Sequence, residues 1–276
     1  MIVTEGRAAH ERDETTMFHL IEQSIKRVVA EFFANQGYKI VRTPRGLIRN
    51  PSAELVIELG YIISHRLSQV NPSEFFFIQI GAFDGVTNDP VYEFVMRYGL
   101  RGILIEPQRE AFCALKENYR HQSQLVLLNV AISDRNGTRD LYRIRSDVEG
   151  LPSWSHQVAS FDLDMILRHG HDIPTYGIQG IPNIEELIEV EQVECMTFDT
   201  LLDKYGVDRV DLLQIDAEGY DAEIVKSVNF ARVKPCITCY EHMHLTRERQ
   251  DECIQILVDQ GYQVAVGYAD TVAYLP

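Results

Sequence analysis

Phe75-Phe76-Phe77-Ile78-Gln79-Ile80-Gly81-Ala82-Phe83-Asp84-Gly85 is the stretch that decides the fold of this 276-residue chain. An apolar run interrupted only by Gln79 reads as a strand covered on both faces. It opens directly into a loop bounded by glycines. The same unit then recurs. Residues 91–98 have helical spacing and stop at Gly99, residues 102–105 form a second apolar strand ending in Glu106-Pro107, residues 110–119 a helix, and residues 125–130 a third strand. Strand and helix in strict alternation predict an α/β protein with a parallel, doubly wound sheet. After an interruption the rhythm resumes with helix 198–205, strand 210–215, helix 222–227, strand 236–240 and helix 246–260. The chain closes in a hairpin, residues 263–268 and 271–275, turning at Ala269-Asp270.

The interruption has its own pattern. Leu141-Tyr142-Arg143-Ile144 reads as one strand of a hairpin closed by residues 190–196. Between them, residues 146–189 hold Pro152, Pro174, Pro182, Trp154, His156, His169 and His171. A segment this long inside a domain is a lid, a binding loop or a disordered stretch. Ahead of the sheet, Phe18, Ile21, Ile25, Val28, Val29 and Phe32 predict a helix over residues 15–35, and Leu55, Leu59, Ile62, Ile63 and Leu67 a second over 52–69. The expected organisation is an N-terminal helical cap over 1–72 and an α/β domain over 73–276 with an insert at about 146–189.

Composition narrows the partners. A net charge of −15 repels phosphate backbones, which argues against sequence-independent nucleic-acid binding. No run approaches the ~20 apolar residues that span a bilayer, and residues 1–13 lack the apolar core of a secretory signal. Five scattered cysteines suit reduced thiols, so a cytoplasmic location without membrane association is expected. Cys236 and Cys239 form a lone C-x-x-C. On a strand they would face opposite sides, so they read as structural thiols.

The glycine loop separates two kinds of cofactor. A dinucleotide site uses G-x-G-x-x-G to grip a pyrophosphate. Here Phe83 and Val86 occupy the positions of the later glycines, and Asp84 would repel the phosphates. Gly81, Ala82, Phe83, Asp84 and Gly85 therefore suit a nucleoside without phosphate, and S-adenosylmethionine, with its sulfonium and ammonium, is such a ligand. Glu106 ends the second strand, where an acid accepts hydrogen bonds from both ribose hydroxyls, a feature shared with NAD sites. Asn129, Ala131 and Ile132 end the third strand, where adenine would lie across small and apolar residues. Asp216-Ala217-Glu218-Gly219-Tyr220-Asp221 forms an acid-rich turn at the carboxyl edge of the sheet, the edge at which such folds bind ligands.

With these motifs in place, residues 74–275 resemble the FkbM family of methyltransferases. The resemblance is carried by residues 77–85, Ile105-Glu106-Pro107, Asn129-Val130-Ala131-Ile132-Ser133, Leu213-Gln214-Ile215-Asp216-Ala217-Glu218-Gly219 and Asp270-Thr271-Val272-Ala273-Tyr274. It implies a Rossmann-like class I methyltransferase sheet of seven strands with the last hairpin antiparallel, helices on both faces, S-adenosylmethionine as cofactor, and transfer usually to an oxygen. One departure bears on the methionine ammonium: many members carry an acid where this chain has Gln79.

A hydroxyl acceptor must also lose its proton, to a general base or with help from a metal. Asp216, Glu218, Glu241, His242 and His244 are the candidates by chain order. Asp216, Glu218 and His242 form the expected catalytic set, and Asp216 and Glu241 the ligands if Mg²⁺ takes part. A His base serves equally well. The expected activity is O-methylation of a small molecule or glycan. An NAD-linked oxidoreductase and a non-catalytic nucleoside-binding module stand as alternatives, and a homodimer stays open as the assembly.

Overall fold

In the computed structural model, which describes residues 59–145, 148, 151–172 and 184–276, Phe76–Ile80 is β1, an inner strand of a seven-stranded sheet. Its neighbours are β2 (Arg101–Ile105) and β8 (Leu212–Ile215), both parallel to it. Beyond β2 lies β3 (Leu125–Leu128), and beyond β8 lie β9 (Ile237–Glu241), β11 (Asp270–Tyr274) and β10 (Gln263–Val266). β11 runs antiparallel to β9, and β10 antiparallel to β11. The sheet is thus mostly parallel, with an antiparallel last hairpin, as the sequence predicts.

Strand alternation divides the apolar residues between two faces. Ile78, Ile80, Ile103, Ile105, Leu213, Ile215 and Tyr240 pack with α6 (Phe198–Tyr205), α7 (Asp221–Ser227) and α8 (Arg247–Asp259). Phe77, Leu104, Leu212, Ile237 and Cys239 pack with α1 (Leu59–Gln69), α2 (Tyr92–Tyr98) and α3 (Arg109–Asn118). Both faces are therefore buried, which is why the strands read as unbroken apolar runs. Cys236 precedes β9 and packs against the same cluster as Cys239, so the two thiols do not take opposite faces.

α1 is the described part of the second expected helix. It buries Leu59 and Ile63 in the sheet's core, and Arg66 clamps the fully buried Asp211 at 2.8 Å. The helix expected over residues 15–35 lies outside the described residues. No helix of the described residues is long and apolar enough to cross a membrane.

The interruption builds a second sheet, ordered β4 (Ala131–Ile132), β7 (Ile188–Met196), β5 (Gly137–Ile144) and β6 (Ala159–Ser160). β5 and β7 form the expected hairpin, antiparallel from Gly137 opposite Cys195 to Ile144 opposite Ile188. The described parts of the insert are structured: β6, α4 (Leu163–Asp172) and α5 (Ile184–Leu187) surround a core of Ile144, Val158, Met165, Ile166, Ile184 and Leu187. Trp154 packs against that core and anchors the insert. A buried apolar cluster of its own explains how so long a segment holds a shape.

Candidate active site

Between the two sheets, at the carboxyl ends of β1, β2 and β8, lies a cleft of about 910 Å³ including its mouth. Its floor is the glycine loop. Gly81 and Ala82 donate to the Ile105 carbonyl at 2.9 and 3.0 Å, locking the loop to β2. Gly81 has φ +79°, and a Cβ there would sit 1.7 Å from the Asp216 carbonyl oxygen, so only glycine lets β1 and β8 open into the cleft together.

Of the loop residues, Gly81, Ala82 and Phe83 line the cleft, whereas Asp84 and Gly85 do not. The Asp84 carboxylate is turned onto its own loop, accepting from the Val86 and Thr87 amides at 2.9 and 2.7 Å. Gly85 faces Tyr119, whose hydroxyl donates to its carbonyl at 2.8 Å. Both residues shape the loop. Asn129 also lies off the cleft wall, where its amide donates to the carbonyls of Glu106 and Pro107 and fastens β3 to the end of β2. Ala131 and Ile132 do line the cleft, with Val130.

Glu106 is buried at the cleft wall, 3% exposed. Its two oxygens accept from the Phe83 and Gln108 amides, each at 2.8 Å. Burial outweighs those bonds and pushes its pKa up to about 7. Each oxygen keeps a further lone pair for a ligand hydroxyl.

The acid-rich turn forms the opposite wall. Asp216 opens onto the cleft and is exposed to it. Desolvation by the surrounding protein, and then the carboxylates of Asp221, Asp270, Glu106 and Asp89, hold its pKa well above the usual carboxylate range. Asp221, fully buried, folds the turn by accepting from the Ala217 and Gly219 amides at 3.2 and 3.1 Å. Glu218 lines the cleft in a left-handed conformation, φ +48°. The other non-glycine residues with positive φ among those described, Phe83 and Asn88, line it too. Such strain collects where the surrounding structure fixes a geometry. Ser160 of β6 donates to the Glu218 carbonyl at 2.9 Å, tying the insert to this turn.

The histidines part company. His242 is 7% exposed, its Nδ1 lies 3.0 Å from the Thr271 hydroxyl, and it does not line the cleft. Expected in the catalytic set, it is placed against β11. His244 instead meets the acids: its Nε2 lies 3.4 Å from Glu241 Oε2 and 3.7 Å from Glu218 Oε2. Donor atoms of Glu218, Glu241 and His244 all fall within 4.8 Å of one another, and Asp216 is not among them. Glu241, expected to pair with Asp216, is grouped with Glu218 and His244, and the Asp216 carboxylate is the foremost charge acting on it. Burial and the neighbouring carboxylates, Asp216 foremost, raise both glutamates well above their usual range.

Three wall residues escaped notice in the sequence as ligand-facing: Asp89, Gln108 and Gln214. Only Asp89 carried a signal, because Asp before Pro announces a helix start; its Oδ1 accepts from the Val91 and Tyr92 amides. From the insert, Gln157, Ala159, Ser160 and Phe161 complete the wall. Among the described lining residues, Asp89, Glu106, Asp216 and Glu218 are acidic, and none is Lys, Arg or His. Arg139 stands behind that wall, bonded to Ser133, Asp134 and the Tyr220 hydroxyl and 4.0 Å from the Phe161 ring.

A search of curated proteins returns no match. Among solved structures, the chain is similar to the methyltransferase FkbM of Methylobacillus flagellatus KT, at 14% identity and TM-score 0.46 over 90% of this chain and 50% of that one. It therefore spans half the length of that protein. It is also similar to a precorrin-6y C5,15-methyltransferase of Geobacter metallireducens GS-15, at 15% identity and TM-score 0.36 over 84% of this chain and 92% of that one. A SAM-dependent methyltransferase of Aquifex aeolicus matches at 12% identity and TM-score 0.34 over 77% and 87%. The family model of the methyltransferase FkbM domain matches residues 79–264, well over half of the sequence, and the chain belongs to the FkbM methyltransferase family.

Proposed function

We propose that the protein transfers a methyl group from S-adenosylmethionine to a hydroxyl oxygen of a small molecule or sugar. The observation that carries the donor half is the wall of four carboxylates without a cation. A pyrophosphate would oppose ionisation of these acids, whereas a sulfonium and an ammonium favour their charged form and gain from it. Glu106 would take the ribose hydroxyls, with Val130, Ala131 and Ile132 around the adenine and Gly81 to Phe83 against the amino-acid end.

S-adenosylmethionine supplies an electrophilic methyl on a good leaving group, so the protein's tasks are alignment and proton removal. Glu218 would take the acceptor's proton. It faces the cleft, and His244 with Glu241 stands behind it to share the proton. Asp216 would set its charge against the sulfonium.

Mg²⁺ fits poorly. It demands an octahedral shell of oxygens, whereas the grouped donors are two carboxylates and an imidazole, without Asp216. No step is routed through that ion.

Binding calorimetry with S-adenosylmethionine, S-adenosylhomocysteine and NAD tests the donor half. Binding of the first two and not the third is expected, and the reverse would restore the oxidoreductase. A radiolabelled methyl-transfer screen over sugars and hydroxylated metabolites tests the rest. Donor binding without transfer to any of them would favour a binding module.

A further inference from the structure

The two strands at the centre of the main sheet carry glutamines side by side. Gln79 of β1 and Gln214 of β8 are register partners, flanked in the same row by Leu104 and Cys239. They are 3% and 4% exposed, and neither amide oxygen has a hydrogen-bond partner within the described structure. A buried polar atom left unsatisfied costs about 1–3 kcal/mol. The two residues that carry them are strand neighbours and both line the cleft, which marks a place shaped for a hydrogen-bond donor.

Asp89 adds the charge. Its Oδ2 accepts from Gln79 Nε2 at 2.7 Å, while Oδ1 is fixed by the amides at the start of α2. A carboxylate only accepts, so Gln79 must turn its nitrogen to Asp89 and its oxygen away. The neighbourhood thus offers one anionic and two amide oxygens, and no cation lines the cleft beside them. Burial holds the Asp89 carboxyl above its ordinary pKa, as expected of an acid awaiting a positive partner.

An alkylammonium carries three donors and no acceptor. We propose that Gln79, Gln214 and Asp89 hold the α-ammonium of the methyl donor's amino-acid end. The charge that an acid on β1 would have supplied is thereby moved to the loop ahead of α2, with the amides completing the shell. This assignment rests on the donor-site reading above.

Calorimetry on the full chain separates the two. The probes are S-adenosylhomocysteine, its analogue with hydrogen in place of the α-amino group, and 5′-methylthioadenosine, which lacks the amino-acid end. For the wild-type protein, loss of the amino group should weaken binding at least tenfold. Asp89→Asn, which keeps the helix cap, and Gln214→Met, which keeps the volume, should each weaken S-adenosylhomocysteine at least tenfold. Both should leave 5′-methylthioadenosine within about twofold. Equal affinity of the wild type for the amino and desamino ligands would overturn the proposal, and this arm needs no variant to fold. So would variants that lose both natural nucleosides alike. Wild-type protein that bound none of the three would sink the donor-site reading, and the ammonium subsite with it.

Discussion

At the scale of single residues, the site is a set of carboxylates distinguished by what holds them. Glu106 is pinned at both oxygens by backbone amides, so Glu106→Gln would set an amide nitrogen against one of those donors. The expected result is at least a tenfold loss of S-adenosylhomocysteine affinity; an unchanged dissociation constant would remove Glu106 from the ribose. Glu218 has one face on the cleft and one on His244. Glu218→Gln should lower kcat by a factor on the order of 10²–10⁴, the usual worth of a general base, with donor affinity kept within about threefold. A parallel fall in both would make Glu218 a donor-binding group. Gly81, Glu106, Asp216 and Glu218 were legible in the sequence because each ends a strand at the edge where ligands bind. His242 against His244 was not. Two residues apart beyond the end of β9, the pair is sorted by tertiary neighbours, Thr271 for one and Glu218 for the other. Gln79 showed as a departure from a family pattern, but the partner that gives it meaning is Gln214, over a hundred residues away.

At the scale of elements, the pattern of strands and helices was readable because both faces of the main sheet are buried and each strand is short. The β5–β7 hairpin was readable from alternation at its two ends. The fold of the insert was not, because its small core is assembled from residues as far apart as Val158 and Ile184, without a period. β6 pairs only two residues with β5, Tyr142 with Ser160 and Arg143 with Ala159. Yet it delivers Ser160 to Glu218 and Phe161 to the cleft wall. On the far side of the sheet, α1 is fixed by Arg66 on Asp211, a carboxylate that also accepts from the Phe76 amide at the start of β1. Arg66→Met should cost about 1–3 kcal/mol, the worth of hydrogen bonds to a buried charge, seen in denaturant unfolding. Nucleoside affinity should stay the same, since the pair lies at the opposite end of β1 from the glycine loop. A stability unchanged within error would show that Arg209, also on Asp211, suffices alone.

For the molecule as a whole, the acid-lined cleft sets the pH dependence of stability. Glu106 is shifted from 4.5 to about 7 and Asp221 from 3.8 to about 6, both chiefly by burial. Raised folded-state values mean that each acid's contribution is fully present below its unfolded pKa and is lost as pH rises through the folded one. The ligand-free protein should therefore lose stability between about pH 4 and pH 7.5, by roughly 3 kcal/mol for each of the two groups. Its melting temperature should be lower at pH 8 than at pH 5.5. A melting temperature that rose over this range would mean that these carboxyls ionise freely. The same wall also bears on what happens after the reaction. Methyl transfer erases the sulfonium charge, so the spent thioether faces the ring of acids with only its ammonium to hold it. Release should outpace that of the fresh nucleoside, and an accumulating by-product should be a feeble brake on turnover.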